Sequence, residues 1–358
     1  MIGAGGWGTA MMISLAGRHK DLVLYCRKPE TAEKLNRERE NKEYLPGVHL
    51  PEVIRITSDL KEAVEGAGCV VICTPSKAVA DTAGKIAKWL EKDAVVVSAS
   101  KGLADDEGHR LSEVIAQKVA GITDRIVALS GPNHAEEVGA GLPCATVAAS
   151  EVPEAVQIVQ DLFMSPVFRV YRSDDIRGVE YGGALKNIMA LACGVLDGIK
   201  LGDNSRAALM TRGLVEMTRF GVRFGAKMNT FFGLSGMGDL VVTCTSSHSR
   251  NHTAGVMMGE GKTAKEIVEG TNMVVEGMRT ALLVHEIAKR EHIDMPITEE
   301  VCCLINGEHT ARKALEVLMA RAKKAESETY ATESLKSIRV HQSALTLQIG
   351  RASCRERV

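Results

Sequence analysis

The chain has almost no net charge, no C-x-x-C pair, no internal repeat, no low-complexity linker and no apolar run of membrane-spanning length. Each lack excludes something. With 44 Lys+Arg against 45 Asp+Glu, a formal charge of -1, no overall field recruits nucleic acid or an anionic membrane, so any anion site must be local. The nine cysteines sit mostly within apolar runs and form no regular framework, which argues against a disulfide scaffold and fits a reducing cytoplasm. Cys302 and Cys303 are adjacent, but no second Cys or His group stands at ligand spacing, so they read as buried thiols and no metal is expected. No signal peptide is visible and no membrane span is expected. What is present is a globular composition, 45% hydrophobic with nine prolines, in 358 residues that can hold two domains.

From residue 9 to about 172, helical patterns alternate with short apolar runs: "DLVLYC", "GCVVICTP", "AVVVSAS", "RIVALSG", "ATVAAS" and "FRVYRS". Strand and helix in alternation predict a doubly wound parallel sheet with ligands at the carboxyl ends of its strands. From about 176 to 326 strand signals nearly vanish and long helical patterns take over, so a mainly α-helical second domain is expected. The predicted division is 1–175 for the sheet domain and 176–328 for the helical one. Residues 329–358 lack an amphipathic period. The last eleven, "QIGRASCRERV", match the read-through of a common sequencing adapter and are set aside as foreign.

The opening "MIGAGGWGTAMM" carries Gly3, Gly5 and Gly8 at the spacing of a dinucleotide-binding turn. Only Met1 and Ile2 precede the first glycine, so the first strand is expected to be truncated. Arg27 and Lys28 stand at the end of the next predicted strand, where a basic residue can accept the 2′-phosphate of NADP and an acidic one would bind the ribose of NAD. A solvated pair of surface cations is the plainer alternative. "SASKGL" puts Lys101, and "LSGPNHAEE" puts Gly131 and Asn133, just beyond buried strands, where they serve either a ligand or an ordinary turn.

The helix predicted over 178–198 contains one cation, Lys186, flanked on its face by Gly182, Gly183 and Ala190. A lysine among small and apolar groups has its pKa lowered by desolvation, as a base working near neutrality requires. Snorkelling out of a packed helix is the alternative. Asp239 follows a glycine-rich turn and can orient an amine or a hydroxyl, while Ser249, Arg250 and Asn251 offer a hydroxyl, a guanidinium fork and an amide for a phosphate or carboxylate.

Taken in order, "GAGGWGTA", "YLPG", "TPS", "SKGL", "LSGPNHAEE", "EYGGALKNIMALACG", "GMGDLVVTCTSSHSRN" and "VVEG" resemble the bacterial NAD(P)-dependent glycerol-3-phosphate dehydrogenases over residues 2 to 328. The resemblance implies a doubly wound Rossmann-type parallel sheet followed by a mainly α-helical C-terminal domain. It implies that Gly3, Gly5, Gly6, Trp7, Gly8, Arg27, Lys28, Tyr44, Ala135, Val274 and Glu276 lie along NADP or NAD, NADPH being favoured by the basic Arg27 and Lys28, and that Lys101 and Arg250 reach both cofactor and substrate. Lys186 matches the proton-transferring lysine. Gly131, Asn133, Asp239, Ser249 and Asn251 match the rest of the substrate group, Asn133 standing where the family often has Ser or Thr. The implied reaction is reversible reduction of dihydroxyacetone phosphate to glycerol 3-phosphate for phospholipid biosynthesis in the cytoplasm, with a homodimer as one option for assembly. Two further readings stay open from the residues: a 3-hydroxyacid-type dehydrogenase, and a dinucleotide-binding protein without catalysis.

Overall fold

The computed structural model describes residues 1–270, 275–323, 325 and 326; Val274 and the tail 329–358, with its adapter-like end 348–358, lie outside the described residues. The expected apolar runs become strands β1 (Leu22–Tyr25), β5 (Cys69–Ile72), β6 (Val95–Ser98), β7 (Ile126–Ser130), β8 (Cys144–Ala149) and β9 (Phe168–Ser173). Three further strands had no clear sequence signal: the small hairpin of β2 (Glu40–Asn41) and β3 (Leu45–His49), and β4 (Ile54–Thr57), which pairs in parallel with β1.

Ile2 joins the two parts of the main sheet by bridging Tyr25 on one side and Ile72 on the other. Its N–H donates to the Val71 carbonyl (2.7 Å) and its own carbonyl accepts from Cys73 N–H (2.9 Å), while Tyr25 N–H donates to the Met1 carbonyl (2.9 Å). Residues 1–3 thus occupy the strand position that leads into the glycine turn. The order across the sheet is β4, β1, Ile2, β5, β6, β7, β8, β9.

The doubly wound character shows in the alternation of side chains. Val70, Ile72 and Val96 enter one apolar cluster with Val79 and Ile86 of an adjacent helix, whereas Val71, Val95 and Val97 enter another with Met11, Leu15 and Val159. Both faces are buried, as strands of uninterrupted Val and Ile demand. The sheet departs from the predicted all-parallel order at one place: β8 runs antiparallel to β7. The connection between them holds only the five-residue helix Ala135–Gly139. At about 1.5 Å per residue that helix cannot span the length of a strand of ~17–20 Å, so the chain re-enters the sheet from the end it left.

After β9 there is no strand among the described residues. The centre of this part is the helix Ile176–Gly198, buried on nearly every position from Ile176 to Leu196 and packed by the helices Asp203–Arg223, Asp239–Thr245, Arg250–Gly259 and Glu276–Arg290. Asp175 caps it, one carboxylate oxygen accepting from Gly178 N–H (2.9 Å) and the other from Lys227 N–H (2.8 Å) and Thr230 Oγ1 (2.6 Å). The first turns of this helix meet the sheet through Ile176 and Val179, which pack with Ala128, Val147 and Ala149. Residues 1–320 form one compact unit. No helix among the described residues is long and apolar enough to cross a membrane.

The helix Ile176–Gly198 crosses Arg250–Gly259 with backbones in contact. A Cβ on Gly194 would fall 2.0 Å from the His252 carbonyl oxygen, and one on Gly255 would fall 2.1 Å from that of Leu191. Gly198 and Gly259 repeat the contact one turn along. This crossing fixes where the segment 249–252 begins. Gly255→Ala should therefore lower unfolding stability by about 1–3 kcal/mol through overpacking, read by urea or thermal denaturation; unchanged stability would show that the helices can separate freely.

Candidate active site

Two lysines from distant parts of the chain meet at one carboxylate. Lys101 follows β6, and its Nζ donates to Asp239 Oδ2 at 2.6 Å and to the Gly131 carbonyl at 2.9 Å. Lys186, midway along the central helix, donates from Nζ to Asp239 Oδ1 at 2.5 Å and to Thr243 Oγ1 at 2.7 Å. Asp239 opens the helix Asp239–Thr245, so Thr243, one turn later, lies on the same face. The Thr243 hydroxyl donates back to the Asp239 carbonyl (2.6 Å) and so presents a lone pair to Lys186.

The expected stripping of bulk around Lys186 has a structural purpose. A Cβ on Gly182 would lie 2.5 Å from the Ser235 carbonyl oxygen, and one on Gly183 would lie 2.7 Å from Ser130 Oγ. The turn before Asp239 and the end of β7 both close on this face. Lys186 is 6% exposed, so it does not snorkel. Burial, reinforced by the charge of Lys101 and opposed by Asp239, lowers its pKa to about 8. Burial works against the charge of Asp239 as well, but Lys101 and Lys186 outweigh it and hold this carboxyl below its usual value.

Around this centre several polar atoms are buried without a hydrogen-bond partner: Ser130 Oγ, Ser235 Oγ and His134 Nε2. Burial, followed by the charge of Lys186, lowers the pKa of His134. Neither Thr243 nor His134 emerged from the sequence. Thr243 was visible in principle as the i+4 neighbour of Asp239, whereas His134 gains its meaning only from packing.

The glycine turn lies at the start of the helix Gly6–Ala16. Gly3 has φ 118°, and a Cβ there would fall 2.7 Å from the Cys73 carbonyl oxygen; a Cβ on Gly8 would meet the Gly3 carbonyl oxygen at 2.1 Å. Both glycines are required by the turn. Gly5, the residue preceding the helix, has open space on its side-chain side, and no side chain caps the first turn. An eleven-residue helix with an open, uncapped N-terminus fits a pyrophosphate, and the buried, unpartnered Trp7 Nε1 lies beside it in sequence. Gly6 closes on the Tyr44 carbonyl and on Ala135 Cβ, which brings three of the expected cofactor residues together. Arg27 and Lys28 follow β1 as exposed residues, and the charge of Arg27 acts on the Tyr44 phenol.

The remaining expected residues are partly engaged within the fold. Asn133 donates its amide to the Ala145 carbonyl (3.0 Å), so that donor is engaged within the fold. Ser249 caps the helix Arg250–Gly259 by accepting from His252 N–H (3.2 Å), and Asn251 Oδ1 accepts from Gly277 N–H (2.9 Å). Those two contacts use acceptor atoms; an anionic ligand needs the donor ends. Arg250 is exposed, and its charge acts on the half-buried Glu276, whose Oε1 accepts from Ser76 N–H (3.2 Å) and whose pKa is raised chiefly by desolvation. Val274 lies outside the described residues.

The chain matches two family models, the N-terminus (residues 1–156) and the C-terminus (residues 175–316) of NAD-dependent glycerol-3-phosphate dehydrogenase. It is 49% identical over 329 residues to a glycerol-3-phosphate dehydrogenase [NAD(P)+] of Moorella thermoacetica, covering 92% of this chain and 97% of that protein. A counterpart from Carboxydothermus hydrogenoformans is 46% identical over 326 residues, covering 91% and 97%. The crystal structure of glycerol-3-phosphate dehydrogenase from Coxiella burnetii superposes with a TM-score of 0.85 at 36% identity, covering 89% of this chain and 98% of that one.

Proposed function

This chain belongs to the NAD-dependent glycerol-3-phosphate dehydrogenase family, and from that premise we propose how its residues divide the work. The reaction is the reversible, NAD(P)-dependent reduction of dihydroxyacetone phosphate to glycerol 3-phosphate. The division near residue 175 separates a dinucleotide-binding part from a substrate-binding part, a reading supported by one family model ending at residue 156 and the other beginning at residue 175. The nicotinamide, when bound, supplies or removes the hydride at C2.

The glycine turn with Trp7, together with Tyr44, Ala135 and Glu276, would hold the dinucleotide, and Arg27 with Lys28 would receive a 2′-phosphate, favouring NADPH. Lys101, Gly131, Asn133, Asp239, Ser249, Arg250 and Asn251 would hold the triose phosphate. Arg250 is the residue suited to the phosphate, because its guanidinium is exposed at the start of a helix. Binding energy from the phosphate, remote from the reacting carbon, orients C2.

Lys186 exchanges the proton at the C2 oxygen. In reduction its ammonium donates, and in oxidation its free amine accepts. The observation that carries this reading is a buried amine brought down to about 8, oriented by Asp239 and Thr243 and offered a second cation, Lys101, beside it. Asp239 stays ionised throughout and orients both amines. The family resemblance further supports a cytoplasmic homodimer whose product supplies phospholipid biosynthesis.

Two substitutions test these assignments. Lys186→Ala should lower kcat with dihydroxyacetone phosphate by about 10²–10⁴-fold while NADPH binding is retained; near-normal turnover sinks the assignment. Arg27→Ala should raise the KM for NADPH by about tenfold and leave that for NADH nearly unchanged. An equal loss for both cofactors would remove the 2′-phosphate contact.

A further inference from the structure

Far from the lysine pair in sequence, the helix Pro296–Ile305 ends in a cluster of donor groups that the dehydrogenase reaction does not use. Glu300 and Cys303 stand three residues apart on one helix face. The turn that follows folds back so that Glu308 N–H (2.9 Å) and His309 N–H (3.3 Å) both donate to the Cys303 carbonyl. This return brings His309 Nδ1 to 2.8 Å from Glu300 Oε2. One donor atom each from Glu300, Cys303 and His309 then lie within 4.8 Å of one another. Spacing along the chain hides the group, because one ligand is a carboxylate and the histidine arrives through a turn.

The chemistry of the three donors is selective. A thiol, an imidazole and a carboxylate together match a borderline-soft divalent ion, whereas calcium or magnesium would call for oxygen alone. Zinc bonds of about 2.0–2.3 Å in a tetrahedron separate one thiolate and two N or O ligand atoms by about 3.3–3.6 Å, so donor atoms within 4.8 Å of one another need to close by up to about 1.5 Å. Glu300 is 6% exposed, and within the fold its carboxylate is matched by the His309 imidazole at 2.8 Å, a pair that a divalent ion would bridge. Cys302, the neighbouring thiol, points into the apolar core instead.

We propose that Glu300, Cys303 and His309 form a structural site for a thiophilic divalent cation of the zinc type, with Glu308 or a water as fourth ligand. The ion would tie the end of the helix Pro296–Ile305 to the turn that leads into the helix Ala311–Met319. Binding displaces two protons: that of the Cys303 thiol goes to solvent as the Sγ–metal bond replaces the S–H bond, and the one shared by His309 Nδ1 and Glu300 Oε2 moves to His309 Nε2 or to solvent.

The test is titration of the chelator-treated full chain with Co²⁺, then with Zn²⁺ in competition. One equivalent of Co²⁺ should give tetrahedral visible bands and a thiolate-to-metal charge-transfer band, and Zn²⁺ should displace it and raise the melting temperature. Cys303→Ser should abolish the charge-transfer band. Cys303→Ser and His309→Gln should each weaken binding by at least about tenfold, with dehydrogenase activity unchanged as the check that the variants fold. A cobalt spectrum without thiolate character, or binding that survives Cys303→Ser unaltered, overturns the proposal and leaves a histidine–glutamate pair beside an inert thiol.

Discussion

Two ammonium groups cannot share one buried volume on their own. Removing each from water costs several kcal/mol, and their mutual repulsion rises as the local dielectric falls. Asp239 makes the arrangement possible by giving one carboxylate oxygen to Lys101 and the other to Lys186. The cluster keeps one net positive charge, which suits an anionic substrate. It also leaves Lys186 with a proton that moves near neutral pH, since desolvation and Lys101 pull its affinity down while Asp239 prevents it from falling further. Replacing any of the three charges changes the other two.

The rest of the fold can be read as the means of bringing three distant segments to that point. The sheet delivers Lys101 and Gly131 at adjacent strand ends, β6 and β7. The central helix delivers Lys186, and its glycines let Ser130 and Ser235 approach the backbone where a larger side chain would hold them off. Glu180, on the same helix, accepts from Arg110 Nη1 (2.8 Å), from Ser112 N–H (2.8 Å) and from Ser112 Oγ (2.5 Å). That buried clamp locks the helix against the segment following Lys101, so the two lysines keep their register. At the other end, the glycine crossing between the helices Ile176–Gly198 and Arg250–Gly259 sets the position of Arg250.

Much of this was legible in the sequence, for identifiable reasons. Strands such as "VVVS" and "IVALS" are buried on both faces and read as uninterrupted apolar runs, and Lys186 announces itself as the one cation among the mostly small and apolar residues 178–198. The hairpin at 40–49 was not legible, because most of its positions are exposed and Pro46–Gly47 interrupts it. Nor was the reversal at β8, which depends on the length of a connection rather than on the composition of a strand. The sharing of Asp239 between two lysines was beyond reach, since the three residues come from segments separated by 53 and 85 or more positions and only tertiary packing unites them. Asn133, Ser249 and Asn251 show the reverse limit: the residue types suggest ligand contacts, while the structure also assigns each an internal hydrogen bond.

The proposed role of Lys186 is to exchange the proton in both directions of the reaction. It is tested most directly by the pH dependence of kcat/KM measured for reduction and for oxidation on the same enzyme. With its pKa at about 8, the ammonium that donates in reduction is present below that pH and lost above it, while the amine that accepts in oxidation appears as the pH rises through it. Reduction should fall and oxidation should rise through one shared ionisation near that value. Profiles that move in the same direction, or that show no common ionisation, would contradict it.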